Sequence, residues 1–396
     1  MSGPKIVITE ASAISALGTG FERLSANLPR EPVTGSVKRF AFHELDIELP
    51  CFAVTGFDPV EILGKKGLRT KDRATKLLLG AMELACKARY ESAGAEDKPG
   101  ICVGTAFGSV QSIGDFLSDS IVNGVNNVNP QDFANTVINS PAGNANIRYE
   151  VRTLSATVST GFNAGADALV YAHDYLKRGY LQSIAVAGLE EISYYAMLGM
   201  QRSGVLSASG RACPLGGAAD GLVAGEACAA FLLETEESAR ARGATVLAEL
   251  AGVANAFEPA TFAGAWAADS DAARYTMKQA CAEAGIDAQA IGFVAASANG
   301  MKAGDAMEAN AIAAVLGDVP VAVYKARTGE CWGASPALSL ACALADMKAR
   351  RLTGLPSAYE TLAGINVAAG TIEAKETEFA MINAFSCDGN CTSIVL

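Results

Sequence analysis

The chain has 396 residues, half of them apolar and only 18% charged, which excludes an intrinsically disordered protein and is enough for two packed core units. Its formal net charge of −11 argues against non-specific nucleic-acid binding and against adhesion to an anionic membrane. No apolar run reaches the roughly 18 residues of a membrane span, and Lys5 leads straight into the strand-like Ile6-Val7-Ile8-Thr9, so the expected location is the cytoplasm.

Residues 1–35 read as strand, Gly-bearing turn and helix (Ile6–Thr9, Gly18-Thr19-Gly20, Phe21–Leu28), and residues 36–60 as irregular chain with short strands. A strong helix follows from Arg69 to Tyr90, with Leu77, Leu78, Met82 and Ala85 at helical spacing. Its start is basic: Lys65, Lys66, Arg69, Lys71, Arg73 and Lys76 form either a solvated face or a docking patch for an acidic partner. Gly100 to Gly108 reads as a buried strand ending in a Gly turn, followed by a helix from Val110 to Ile121. Pro130 to Thr136 leads to Ser140-Pro141-Ala142-Gly143 and another short helix.

A β-like run from Ser155 to Thr160 breaks at Gly161, and an Ala-rich helix spans Ala164 to Lys177. Asp167 in its first turns and Lys177 and Arg178 near its end suit the macrodipole. Phe162 therefore stands at a strand-to-helix elbow, where free backbone N–H groups would lower the pKa of a thiol. Beyond it come a strand at Ser183–Gly188, a loop rich in Gly, Ala and Ser over 203–226, a strand at Ala229–Glu234 and a charged helix to Arg242.

The remainder repeats the plan. A buried strand from Phe293 ends at Gly300, a helix covers Ala306–Leu316, and Pro320–Tyr324 is a strand. A loop, Lys325–Ser335, feeds an Ala-rich helix to Arg350, and strands near Phe379–Phe385 and Thr392–Val395 close the chain. Two βαβαβ-like halves, 1–243 and 244–396, predict an α/β protein with parallel sheets covered on both faces.

The ten cysteines lie in apolar surroundings and read as reduced thiols. Cys387 and Cys391 have no second Cys/His pair nearby, so no metal site is expected. The only histidines, His43 and His173, read as ordinary surface or interface residues, since His173 is too far along its helix to face the elbow.

Several segments, in order, resemble the β-ketoacyl synthases, the condensing enzymes of fatty-acid and polyketide synthesis. Their active-site segment reads V-S-T-A-C-x-x-G-x-x-A, and Val158, Ser159, Thr160, Gly165 and Ala168 match it in register. Pro130 with Asn135-Thr136 is similar to a P-x-x-x-x-N-T segment, and Asp220-Gly221-Leu222-Val223-Ala224-Gly225-Glu226 to D-G-F-V-x-G-E. The resemblance covers essentially the whole chain and implies the thiolase-type fold, duplicated halves in five layers, α-β-α-β-α.

It also implies chemistry that the residues do not supply. The nucleophilic Cys of the family falls on Phe162, whose benzyl group cannot form a thioester. The His of H-G-T-G-T-x-x-x-D falls on Ser297, with Gly300, Asp305 and Glu308 retained. The His of K-x-x-x-G-H-x-x-G-A falls on Glu330, with Lys325, Gly329 and Gly333 retained; an anion there opposes negative charge developing on oxygen. The gating loop N-x-F-G-F-G-G reads Asn383-Ala384-Phe385-Ser386-Cys387-Asp388-Gly389, so an oxyanion hole of Phe162 and Cys387 N–H groups would have Asp388 beside it. Cys331 and Cys387 lack a neighbouring His to activate them. Lys325 is expected in an ion pair with Glu308 or Glu330.

The resemblance therefore implies a Cys-less chain-length-factor-like partner of an active ketosynthase, serving acyl carrier protein and needing no cofactor. Ser109, Ser112 and Phe116 fall where such factors shape the acyl tunnel. Two alternatives stand beside it: altered chemistry on the same fold, as malonyl-carrier decarboxylase or acyltransferase, and a homodimeric scaffold for acyl carriers.

Overall fold

Strands that are apolar along their whole length are buried on both faces, and here they build two stacked sheets. The computed structural model describes residues 3–31, 34–42, 45–261, 266–356, 359–373 and 379–396. The first sheet runs in the order Ala248–Glu249, Ile6–Ser15, Ala227–Thr235, Ser183–Glu190, Gly100–Gly104, Ser155–Val158, with Gly18–Thr19 folded back on Ile6–Ser15. The second runs Gly252–Phe257, Asn390–Val395, Phe379–Phe385, Ile291–Ala295, Val321–Ala322.

Both sheets are mixed, where the sequence pattern predicted parallel ones. Gly100–Gly104 and Ile291–Ala295 each lie parallel to both neighbours. Ala227–Thr235 is antiparallel to Ser183–Glu190 and to Ile6–Ser15. Asn390–Val395 returns antiparallel on Phe379–Phe385, because its short connection has no room for a crossover. A strand buried on both faces carries the same apolar signature whichever way its neighbour runs.

Helices Ala164–Lys177 and Ser335–Lys348 fill the layer between the sheets. Arg73–Ser92 and Ser140–Tyr149 cover the outer face of the first sheet, and Asp271–Ala284 and Lys302–Leu316 that of the second. The central layer needs small residues: a Cβ on Gly188 would come within 2.6 Å of the Ala337 Cβ, and one on Gly104 within 2.1 Å of the Ala164 carbonyl oxygen.

Three local expectations shift. The first long helix starts at Arg73, because the Asp72 carboxylate caps it by accepting the Thr75 N–H at 2.8 Å, which leaves Lys65, Lys66, Arg69 and Lys71 in the preceding loop. The expected strand Pro320–Tyr324 shortens to Val321–Ala322, and after Val323 and Tyr324 a helical turn, Lys325–Thr328, begins. His173 is no surface residue: its helix belongs to the central layer, the ring is fully buried, and neither ring nitrogen has a hydrogen-bond partner. His43 lies outside the described residues.

Candidate active site

Four segments converge at the top of the central layer. The elbow comes from Gly161, at φ +73°, followed by a single 3-10 turn, Gly161–Asn163, that opens the helix Ala164–Lys177. Phe162 is half-buried on that turn and packs on a cluster containing Trp332, Ile192 and Met197. Phe107 meets the Trp332 ring edge-on at 5.3 Å. Aromatic and aliphatic side chains thus occupy the space behind the elbow.

Ser297 lies just beyond the strand Ile291–Ala295 and serves the backbone. Its hydroxyl donates to the Phe385 carbonyl oxygen at 3.0 Å and accepts the Phe385 N–H at 2.9 Å, while its own N–H donates to Glu308 Oε1 at 2.8 Å. Glu308 and Asp305 are buried, and burial raises their pKa values to about 7 and about 6. Asp305 accepts N–H groups from Leu215 at 2.7 Å and Asn299 at 3.0 Å, and so shapes the turn after Ser297.

Lys325 and Glu330 are held together by the turn Lys325–Thr328. Lys325 Nζ donates to Glu330 Oε2 at 2.9 Å and to the Ser297 carbonyl oxygen at 2.6 Å. Glu330 Oε2 also accepts Asn299 Nδ2 at 2.9 Å, and its Oε1 accepts the Trp332 N–H at 2.8 Å and Ser335 Oγ at 2.6 Å. With four donors, the carboxylate is a structural node. Trp332 sits in the left-handed region at φ +44°, rare for a bulky residue, and Glu330 holds its N–H there.

Of the segment expected as a gating loop, Asn383, Ala384 and Phe385 line the cavity at the elbow. The Asp388 carboxylate lies against the elbow: a Cβ on Gly161 would fall 2.1 Å from its Oδ2. Burial and Asp388 push the Cys387 thiol up to about 11. Burial, reinforced by the Glu330 charge, holds the Cys331 thiol well above its usual range. Neither thiol is an appreciable thiolate near neutral pH. The cavity between Phe162, Ser297, Lys325, Glu330 and Phe385 measures about 10 Å³, room for about one water. Among the described residues no group of three or more His, Cys, Asp or Glu could hold a metal ion.

Ser109, Ser112 and Phe116 do not join this cluster. Ser109 is fully buried at the start of helix Val110–Asn123, while Ser112 and Phe116 line a surface groove of about 370 Å³ with Asp72, Asp115 and Asp132. Ser112 Oγ donates to Asp72 Oδ2 at 3.2 Å, and the Phe116 ring lies 5.8 Å from that of Phe133. A larger cleft of about 760 Å³, beside Arg89, Lys98 and Arg242, shares no residue with the elbow.

Sequence reasoning missed Asn163, Asn299, Trp332 and Glu190. Asn163 Nδ2 donates to the Ala384 and Asn390 carbonyl oxygens at 2.7 and 3.0 Å. Glu190 accepts the N–H groups of Ala106 and Phe107 at 2.7 and 3.0 Å, fixing the loop behind Phe162. Only Trp332 gave a signal, as one of two tryptophans and close to Glu330.

Residues 53–239 match the family described as "Beta-ketoacyl synthase, N-terminal domain", and residues 247–356 match "Beta-ketoacyl synthase, C-terminal domain". The chain is 30% identical to a putative polyketide beta-ketoacyl synthase 2 of Streptomyces halstedii, over 87% of this chain and 85% of that one. It is 29% identical to a putative mitochondrial 3-oxoacyl-[acyl-carrier-protein] synthase of Schizosaccharomyces pombe, over 84% of each chain. Its structure superposes with a TM-score of 0.87 on "The ishigamide ketosynthase/chain length factor", at 22% identity, over 99% of this chain and 98% of that one.

Proposed function

Because the chain belongs to the β-ketoacyl synthase family and has its layered thiolase-type fold, we propose that it is a non-condensing member that partners an active ketosynthase, as a chain-length factor does. The observation that carries this reading is the filled site. Phe162 stands at the nucleophile's position, Ser297 and Glu330 are bound into the framework, and the cavity left between them measures about 10 Å³. The thiol and both imidazoles that the resemblance implies are missing at once, while the fold around them is kept.

Two surfaces support the partnership. Helix Val110–Asn123 has no buried residue, and it carries Leu117, Ile121 and Val122 exposed, Ile121 to 81%. Nearby in the chain, Phe133 and Ile147 are exposed to 60% and 78%, and strand Ser155–Val158 stands at the end of its sheet. Apolar surface and an open strand edge of this kind call for a covering subunit. In the basic segment, Arg73 is bound to Glu226 and Lys71 to Asn144, which leaves Lys65, Lys66 and Arg69 exposed toward an acidic partner such as acyl carrier protein.

The test is co-expression with an intact Cys-His-His synthase from the same genome, read by native mass spectrometry. A one-to-one complex that makes product, with this chain inert when alone, is the expected result. Carbon dioxide release from malonyl carrier protein by this chain alone favours the decarboxylase reading. A pure homodimer that ignores the synthase favours the scaffold.

A further inference from the structure

We infer that residues 384–390 form a fixed clasp over the elbow, with Ser297 as its latch, and not a lid that opens. Three separate parts of the chain hold this segment. From the strand end below, the Ser297 hydroxyl both donates to the Phe385 carbonyl oxygen and accepts the Phe385 N–H, at 3.0 and 2.9 Å. From the elbow, Asn163 Nδ2 donates to the Ala384 and Asn390 carbonyl oxygens, and Asn390 Nδ2 answers by donating to the Thr160 carbonyl oxygen at 3.1 Å. From a third side, the Glu258 N–H donates to the Gly389 carbonyl oxygen at 2.8 Å.

Packing adds to the bonds. Gly389, at φ +95°, passes so close to Glu258 that a Cβ would lie 2.6 Å from the Glu258 carbonyl oxygen. Asp388 is pressed against Gly161 in the same way. Lifting the segment would break, together, both Ser297 bonds to the Phe385 N–H and carbonyl and the two Asn163 bonds to Ala384 and Asn390. Elements that move are drawn from regions with few buried bonds, and this segment is not one of them.

The residue at position 297 decides the matter. A hydroxyl donates and accepts through one atom, so it can grip both backbone groups of Phe385. A neutral imidazole donates and accepts through different nitrogens and cannot do so from that point. The replacement that removes an imidazole from the site therefore also fastens its cover. This inference does not depend on the partner proposed above, because it concerns the isolated chain.

Residue-resolved hydrogen–deuterium exchange on the full chain tests it. The Phe385, Ser386 and Gly389 amides should exchange at least about a hundredfold more slowly than in an unstructured peptide. Ser297→Ala should speed Phe385 by about tenfold or more, while amides of helix Arg73–Ser92 keep their rates. Asn390→Ala, a milder change that removes only the side-chain bond to Thr160, should speed Ser386 several-fold. Unprotected amides in the unaltered chain would overturn the clasp, and so would protection that neither substitution changes.

Discussion

Lys325 Nζ lies 2.9 Å from Glu330 Oε2, with the two side chains exposed to only 9% and 1%. A lysine and a glutamate so withheld from water are stable only as a pair. Glu330 has three further donors besides Lys325, so the two residues are not equivalent. Glu330→Ala should cost about 3–5 kcal/mol, because it strands a buried ammonium and frees the strained Trp332 backbone. Lys325→Met should cost less, since three donors remain on the carboxylate. The double variant should lose less than the sum of the two. Urea unfolding curves decide this, and equal losses in the two single variants would refute the ordering.

Phe162→Cys puts a thiol at the position proposed for the family's nucleophile, and by the same proposal does not restore its chemistry. Among the described residues no imidazole faces the elbow, Asp388 lies against it, and the cavity beside it measures about 10 Å³. The variant should acquire no acyl adduct from an acyl carrier thioester and should elongate no primer when alone. Intact-mass measurement after incubation is the check.

Glu191 is buried with Oε1 unpartnered, and burial, then the charges of Asp72 and Glu226, raises its pKa to about 8. The unfolded chain releases this proton near pH 4.5, the ordinary glutamate value. Above that pH the folded state retains a proton that the unfolded state has lost, so stability falls from about pH 4.5 up to about pH 8 and is then level. Glu191→Gln should be close to neutral at the acid end. At pH 9 it should stabilise the chain by up to about 5 kcal/mol. Thermal or urea unfolding at the two pH values measures the difference.

His173 acts in the opposite direction. Burial lowers its pKa below 6.5, and Lys177 adds to this, while Glu283 and Asp174, at 4.0 and 3.6 Å, pull it back. The unfolded chain takes up a proton as pH falls through 6.5 and the folded chain resists it, so stability is lost on that side. His173→Leu should flatten the acid limb between pH 6.5 and pH 5 and leave the limb above pH 7 unchanged. Unfolding curves across that range test it.

If the proposed partnership holds, Phe116 faces the region that a synthase would cover, beside the exposed apolar helix surface. Phe116→Ala in the reconstituted pair should then lengthen the product. Mass analysis of the products, with unchanged chain length as the contrary result, decides the tunnel assignment.

The proposed loss of condensing chemistry was read from the residues alone, because covalent catalysis depends on atom types, and no packing can give Phe162 a lone pair or Glu330 an imidazole. Gly161 and the Ala-rich run behind it likewise announced the elbow, since turn and helix preferences are local. The antiparallel strands were not legible, because apolar strands covered on both faces look alike in either direction. Nor were the burial of His173, the four donors around Glu330 or the Ser297–Phe385 clasp. Those depend on groups that meet only after the two sheets close on the central helices, as when Asn163 reaches Asn390 from far along the chain. Local preference cannot encode a pairing of that kind; the packed layers decide it.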